Sequence, residues 1–333
     1  MQKSLASFLL TITFLVFALL LSLAIGSVFL SPSELMAALT GHGTQLSDTI
    51  LWKIRLPRTV LIALTGMALG GSGAAYQGLF RNPLADPYLI GVASGAGLGA
   101  VIAMSVKWPY TLWGLMAIPI AAFAGALLTV VIVYLLARVG RTTPTTNLIL
   151  AGVAISSFAV SLMSFLMLRS AGELHRAMSW LMGGSIQLGW TSILAMFPYL
   201  VIGLIVLTLG GHALNLLQFG DEQAQQLGLN VARAKTLILV AASLATAAAV
   251  SFSGIIGFIG LIVPHVMRLC FCGDYRRLIP LSIVGGAAAL LLSDTLARVV
   301  LAPRELPVGI VTALAGAPFF LWVLRRAKNQ SYW

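Results

Sequence analysis

The sequence predicts an all-α polytopic membrane protein, with about ten transmembrane helices in a single domain that takes in residues 1–333. Two observations carry this prediction. The chain is 59% hydrophobic and only 9% charged, with a mean hydropathy of +1.00, whereas an ordinary soluble domain is about 25% charged. Its apolar runs are also spread evenly from end to end, which favours one membrane domain over the two or three domains that the length would otherwise allow.

Ten apolar segments are each close to the roughly 20 residues that a helix needs to cross a bilayer. They span residues 5–30, 57–80, 88–107, 111–137, 147–168, 191–211, 234–253, 256–272, 277–296 and 306–324. The first is too long for a signal peptide, and no small-residue cleavage site followed by soluble sequence accompanies it. The eighth segment is short and rich in glycine, so the sequence leaves its ends open.

Both termini are predicted to lie in the cytoplasm, with the chain in the cytoplasmic (inner) membrane. In this orientation twelve of the 20 Lys and Arg residues fall on the inner side, in keeping with the excess of positive charge in cytoplasmic loops. The other eight, among them Arg55, Arg58 and Arg298, fall on the outer side and need another explanation. The net charge of +11 is interpreted as a signature of membrane topology. Lipid is therefore the expected surrounding, and no nucleic-acid partner is expected.

Few residues suggest chemistry inside the membrane. Cys270 and Cys272 form a lone CxC with His265 as the one candidate ligand near them, whereas a zinc site takes about four ligands; two ordinary thiols are expected, with no metal and no cofactor. No cluster of His, Asp and Glu has catalytic spacing, so the chain is not predicted to be an enzyme. Asp294 is the one acidic residue in a predicted span, although an ion-coupled secondary transporter usually places ionisable groups at the midplane. That class remains the alternative.

One inner connection and the helix after it contain an unusual number of backbone constraints. Pro83 and Pro87 restrict the connection to a turn. The following helix carries Gly91, Gly95 and Gly99 at a spacing of four, which places them on one face and lets another backbone approach closely. These glycines are predicted to be packing residues.

The inner connection 212–233 predicts a short polar helix. It is defined by Gly220, Asp221, Glu222, Ala224, Leu227 and Gly228. Negative charge after the first glycine suits a helix N-terminus, the second glycine offers a stop, and Ala224 and Leu227 are predicted to form the apolar side. The pattern alone favours a docking element for a soluble partner and a plain surface connector equally.

Several motifs in order then resemble one family. They are Arg55-Leu-Pro-Arg58, Arg81-Asn-Pro-Leu-Ala-Asp-Pro87, Asn147-Leu-Ile-Leu-Ala-Gly152, the 220–228 segment, Gly254-Ile-Ile-Gly-Phe-Ile-Gly-Leu-Ile-Val-Pro-His265 and the segment from Glu305 to Pro318. Together with the ten helices they resemble the permease subunit of ATP-binding-cassette importers for iron–siderophores, haem and vitamin B12 (the FecCD type of type II importers). The resemblance runs from about residue 50 to the C-terminus.

The resemblance implies the partners and the reaction. The permease would form a homodimer, or pair with a related permease, and would assemble with two cytosolic ATPase subunits and an extracytoplasmic substrate-binding protein. A ferric siderophore, vitamin B12 or haem would be moved inward by ATP-driven alternating access. Hydrolysis would occur in the ATPases, and this chain contains no GxxxxGK[ST] phosphate loop of its own.

The resemblance also implies roles for named residues. Arg55, Arg58 and Arg298 match positions that dock the binding protein; the alternative is that they anchor helix ends or pair locally with Asp294 or Glu305. The segment from Gly220 to Gly228 matches the coupling helices that sit in the ATPases, which favours docking for it. The cytoplasmic gate is matched by Asn82, Leu84, Thr145 and Thr146. Turn geometry and a helix N-cap at Thr145 are compatible with the gate assignment.

Overall fold

The computed structural model describes residues 2–26, 31–106, 108–109, 111–140, 143–169, 174–184 and 189–328. The predicted all-α fold is confirmed. The helices, in chain order, are α1 (Gln2–Ala24), α2 (Pro32–Leu39), α3 (Gln45–Asp48), α4 (Leu56–Leu79), α5 (Val92–Met104), α6 (Leu112–Ala137), α7 (Thr145–Arg169), α8 (Leu174–Leu181), α9 (Trp190–Leu209), α10 (Gly211–Leu217), α11 (Asp221–Gln226), α12 (Val231–Ser253), α13 (Ile259–Cys270), α14 (Tyr275–Val299) and α15 (Val308–Lys328). A π-helical segment, Thr49–Arg55, leads directly into α4.

Each of the ten predicted spans corresponds to a helix, namely α1, α4, α5, α6, α7, α9, α12, α13, α14 and α15. Within the part of the chain that the structure describes, seven helices are long and apolar enough to cross a membrane. Shorter apolar helices lie in α5, α13 and α15. The molecule is therefore a multi-pass membrane protein in which some spans are not complete helices.

The helices α5 and α13 begin inside the bundle. With 13 and 12 residues they are about 20 Å long or less, against a hydrocarbon core of about 30 Å. Gly260, near the start of α13, packs against Pro87, and it also lies close to the backbone of Leu69 in α4. Leu69 precedes the end of α4 by ten residues, which is about 15 Å of helix. The chain thus enters both helices at roughly half the depth of the bundle, so the predicted ranges 88–107 and 256–272 each include an irregular approach.

Glycines allow α4 to lie at the centre of the bundle. A side chain at Gly66 would overlap the carbonyl of Gly286 on α14, and a side chain at Gly286 would overlap the carbonyl of Gly66. Gly95 and Gly99 of α5 face the backbone of α6 in the same way, so the predicted packing role of these two glycines is confirmed. The third of that series, Gly91, instead caps α5 with a φ of 85°, a conformation that suits glycine.

The two ends of the bundle differ in kind. Arg55, Arg58 and Arg298 lie together where α4 begins, and we call this the arginine end. Gly78, at the other end of α4, contacts α10 through Gln218, and we call this the short-helix end. The start and finish of α4 are separated by 24 residues, or about 36 Å.

Candidate functional site

At the arginine end, Arg58 binds two carboxylates. Its guanidinium lies 2.8 Å from Asp294 Oδ1 and 2.5 Å from Glu305 Oε2. Asp294 is fully buried, and its other oxygen lies 3.0 Å from Arg298 Nε. A buried carboxylate is tolerated when cations compensate it, so two arginines share this one acid. The ion pairs hold α4, α14 and the chain just before α15 together.

The other two arginines close the end of α1. Arg55 donates to the carbonyls of Leu23 at 2.7 Å and Ala24 at 2.9 Å. Arg298 donates to the carbonyls of Ser22 and Ile25. The last carbonyls of a helix have no partners within the helix, and these side chains supply them. Arg55 and Arg298 are consequently only 4% and 3% exposed.

This arrangement bears on the predicted docking role. The alternative weighed from the sequence, local pairing with Asp294 or Glu305, is what the structure shows for Arg58. Arg55 and Arg298 direct their guanidinium groups into the protein and offer a partner almost no surface. Docking through these arginines stays a prediction, with Arg58 at 12% and Glu305 at 37% side-chain exposure as the accessible pair.

A cavity of about 550 Å³ opens beside Arg58 and Glu305. One of its walls is α8, which buries Ala177 and Trp180 against the bundle. Other residues of α8 and of the chain just after it line the cavity, together with the start of α15. They are His175, Met178, Ser179, Met182, Gly183, Gly184, Leu306, Pro307, Val308 and Ile310. The lining thus combines thioether, imidazole and aliphatic groups with the charged Arg58 and Glu305.

At the short-helix end, α10 and α11 are attached to three helices. Gln218 Nε2 donates to Gly78 O at 3.0 Å. Asn215 donates to Asp274 at 2.6 Å and accepts the backbone N–H of Tyr275 at 2.9 Å, which links α10 to the start of α14. These bonds join the segment to α4 and α14, and an ion pair between Asp221 and Lys235 joins it to α12.

That ion pair joins α11 to α12. Lys235 Nζ lies 2.5 Å from Asp221 Oδ2. At the start of α14, the hydrogen bond from Arg276 is the main reason that the pKa of Asp274 lies well below its usual range, with Asn215 as a further donor. Asp274 also accepts the N–H of Arg276 as the N-cap of α14. The attachments at this end are therefore largely polar and directional.

The structure separates two residues that the sequence placed on one side of α11. Ala224 is fully buried against the protein, whereas Leu227 is 61% exposed. Phe219, which sequence reasoning did not single out, is 64% exposed on the same segment. Gly220 and Gly228 bound α11 with φ values of 102° and 88°, as their predicted roles require. The accessible apolar surface of the segment is thus Phe219 and Leu227, with Glu222 exposed between them.

The connection that follows α4, residues 81–87, is the proline turn. Arg81 has a φ of 51°, and Asn82 accepts the N–H of Leu84 at its side chain, 2.9 Å away, and the N–H of Ala85 at its carbonyl, 3.1 Å away. Asn82 is exposed and Leu84 is half-buried. Asn82 therefore shapes the turn that presents both predicted gate residues.

The proline turn continues towards the interior of the bundle past Asp86, an acid that the sequence placed in a connecting loop. Asp86 accepts the N–H of Tyr88 at 2.8 Å, directly before Pro87, which packs against Gly260. Asp86 is half-buried and lies beside a proline that packs inside the bundle. Its bond to Tyr88 is a local turn contact.

The second predicted gate lies near the first. Thr145 and Thr146 begin α7, and Thr145 lines a small pocket with Leu79 at the end of α4 and Lys235 on α12. The structure thus brings Thr145 beside the lysine that holds α11. In the described residues no group of three or more His, Cys, Asp or Glu side chains could hold a metal ion.

Comparison with known proteins gives a consistent result. The model of the FecCD transport family matches residues 14–326. The hemin transport system permease protein HmuU of Yersinia pestis is 41% identical over 318 residues, covering 94% of this chain and 94% of that protein. The cobalamin import system permease protein BtuC of Halobacterium salinarum is 46% identical over 281 residues, covering 84% and 74%. A solved chain assigned to a metal-chelate type ABC transporter, in an inward-facing conformation, has a TM-score of 0.82 at 28% identity and covers 97% of this chain and 98% of its own.

Proposed function

The chain belongs to the FecCD transport family, and from this premise we propose that it is the permease subunit of a binding-protein-dependent ATP-binding-cassette importer. Its cargo is a ferric siderophore, haem or vitamin B12, carried into the cell by ATP-driven alternating access. Relatives named for hemin and cobalamin import support this cargo class. The siderophore is placed first because it is the commonest cargo in the family that the sequence resembles.

One observation carries the proposal beyond family membership. The segment of α10 and α11 exposes Phe219 and Leu227 to solvent at one end of the bundle, while hydrogen bonds and an ion pair fix the same segment to α4, α12 and α14. A firmly held element with exposed apolar side chains suits a soluble partner that must move the membrane helices. We assign that partner as the ATPase subunit.

The topology follows from the same assignment. The last turn of α1 lies at the arginine end, since Arg298 bonds to Ser22 and Ile25, and α15 begins there beside the cavity. Helix α1 therefore starts at the short-helix end and α15 finishes there, so both described ends of the chain share one side. Placing the ATPases on that side makes it cytoplasmic, as the distribution of Lys and Arg predicts.

The arginine end then faces the substrate-binding protein. Arg58 and Glu305 lie at the edge of the cavity, where a docked protein would release its cargo. A second copy of this chain, or a related permease, completes the channel across the dimer axis. ATP binding closes the ATPases together, and the displacement of α10 and α11 opens or closes the route at the proline turn and Thr145.

The experiment is reconstitution of the permease with its cognate ATPase subunits and binding protein in proteoliposomes. A ferric hydroxamate, haemin and cyanocobalamin are each offered, and uptake is measured with and without ATP. We expect ATP-dependent uptake of one of the three, which is lost when either partner is omitted.

The same vesicles test the runner-up class. Asp294, within α14, is the acid that an ion-coupled secondary transporter could use, and Asp86, beside the packed Pro87, is a second. The permease alone is therefore exposed to a proton or sodium gradient with the same three compounds. Uptake by the permease alone would overturn the importer assignment.

A further inference from the structure

Gln218 connects the solvent-exposed segment at the short-helix end directly to the end of α4. Its amide donates to the carbonyl of Gly78 at 3.0 Å and to the carbonyl of Leu214, in α10, at 2.9 Å. The Gly78 carbonyl belongs to the last turn of α4, where carbonyls lack partners within the helix. The N–H of Arg81 bonds to the same carbonyl at 3.2 Å. The Gly78 oxygen thus accepts one hydrogen bond from Gln218, at the end of α10, and another from Arg81, the first residue of the proline turn.

Beside this hydrogen bond, Gly78 makes apolar contacts with α10 and with α14. Gly78 packs against the side chains of Leu214 and the ring of Tyr275. Apolar surfaces of this kind attract without fixing direction and can slide, whereas a hydrogen bond weakens steeply when its geometry is lost. Gln218 is therefore the contact that sets the register between the two elements.

A second polar contact reaches the other gate. Asp221 at the start of α11 pairs with Lys235 of α12, and Lys235 lines the pocket that contains Thr145. The proline turn is thus linked to Gln218 through the carbonyl of Gly78, and Lys235, the partner of Asp221, lines the same pocket as Thr145.

We propose that Gln218 is a positioning residue that transmits displacement of α10 and α11 to the proline turn through the Gly78 carbonyl, and that Asp221 does the same for Thr145 through Lys235. This inference rests on the proposed function, because it takes α11 as the ATPase contact and the two turns as the gate. It adds the specific side chains through which one moves the other. Loss of Gln218 then leaves ATP hydrolysis in place and disconnects it from the gate.

The test follows the gate itself and needs no cargo. Cys270 and Cys272 are replaced by Ser, since the sequence holds no other cysteine, and Leu84→Cys is introduced as a probe in the complete complex in proteoliposomes. The rate of labelling by a hydrophilic maleimide from the ATPase side is measured without nucleotide and after vanadate trapping with ATP. ATP hydrolysis is measured on the same preparations.

We expect the nucleotide-dependent change in labelling rate to fall about fivefold in Gln218→Leu, in line with the loss of one hydrogen bond, with hydrolysis within about twofold of the unsubstituted complex. Gln218→Lys, whose ammonium can donate to the same carbonyl, restores the change. The matched control is His212→Gln, an exposed residue of α10 that makes no side-chain hydrogen bond among the described residues; it keeps the full change.

The outcomes are distinguishable. A full nucleotide response in Gln218→Leu overturns the inference and leaves the proposed function standing. Absence of any response in the unsubstituted complex overturns both. Should Gln218→Leu fail to assemble, Asp221→Asn with a Thr145→Cys probe takes its place, and an undiminished response there overturns the inference equally.

Discussion

The hydroxyl of Tyr88 donates to the carbonyl of Ile256 at 2.9 Å and accepts the N–H of the same residue at 3.3 Å. These two residues lie on the irregular approaches to α5 and α13, which both start within the bundle. Backbone groups inside a membrane need partners from the protein because lipid supplies none. One phenol thus serves both polar groups of Ile256.

Replacing Tyr88 by Phe removes both bonds while leaving the ring in place. Since Ile256 is only 1% exposed, its N–H and carbonyl lose their side-chain partner, and such a loss costs about 1–3 kcal/mol per group. We expect a lower thermal unfolding midpoint in detergent. Tyr199→Phe is the control, because the Tyr199 ring is 45% exposed and its hydroxyl makes no hydrogen bond in the described part of the chain. Equal midpoints for the two variants would contradict the prediction.

The buried acid at the arginine end predicts a large loss of stability. Asp294→Asn leaves the cations of Arg58 and Arg298 with reduced compensation in a closed environment, and breaking a buried pair costs about 3–5 kcal/mol. Glu305→Gln removes the partly exposed acid from the same Arg58 and costs under about 1 kcal/mol. Thermal unfolding of both variants checks this order. A Glu305 variant as unstable as the Asp294 variant would refute it.

Under the proposed docking role, Glu305 would compete with the binding protein for Arg58. If an acidic group of that protein docks on Arg58, Glu305→Gln frees the guanidinium and raises the affinity about two- to fivefold, a change of up to about 1 kcal/mol as for an exposed pair. Affinity of the cognate binding protein for the permease in nanodiscs is the measurement. Asp48→Asn is the control, because Asp48 makes no hydrogen bond or ion pair with Arg58 or Glu305 in the described part of the chain. Unchanged affinity in the Glu305 variant would remove Arg58 from the docking surface.

The exposed residues at α11 predict which substitution weakens binding of the ATPase subunit. Leu227→Glu places a charge in an apolar contact and is expected to weaken ATPase assembly at least about tenfold, as for a central interface residue. His212→Glu, on α10, is the matched control and is expected to assemble normally. Co-purification and light scattering measure assembly. Ala224→Trp would not serve as this test, because Ala224 is fully buried and a larger side chain there would displace α11 from its own subunit.

Asp274 predicts how stability changes with pH. Hydrogen bonds, first from Arg276 and then from Asn215, hold the pKa of Asp274 well below its usual range in the folded protein. Its contribution is therefore complete above the unfolded pKa of about 3.9 and is lost as the pH falls further towards the folded value. The difference in unfolding midpoint between the native protein and Asp274→Asn is expected to be constant from pH 5 to 8 and to shrink below pH 4, with Glu222→Gln as the exposed-acid control. A difference that widens at acid pH would contradict this assignment.

Hydropathy predicted where the chain has helices, because a run of apolar residues reports its burial locally. It marked the eighth segment, which contains α13, as short, but it did not predict that α5 is short or that both helices begin inside the bundle. An irregular apolar approach such as 254–258, followed by a short helix, is apolar in the same way as one complete span. Only packing against α4 distinguishes the two, and packing is a property of distant residues.

The candidate site was predicted only in part, and the reason is similar. Motifs identified the arginines, the proline turn and the segment around α11, and charge alone suggested Glu305 or Asp294 as partners. The acceptors of Arg55 are backbone carbonyls of α1, and a carbonyl has no signature in the sequence. Helical spacing likewise placed Ala224 and Leu227 on one side of α11, but a helix of six residues has too few turns for spacing to decide which flank faces the protein.

The capping of α1 by Arg55 and Arg298 has a consequence for biogenesis. During synthesis α1 is made before Arg55, which follows Leu23 by 32 residues, and before Arg298, which follows Ser22 by 276 residues. The bonds from Arg298 to the carbonyls of Ser22 and Ile25 cannot form until α14 has been made, so water at the membrane surface must bind these carbonyls until then. Helix α1 therefore takes its final place only after α14 has been made.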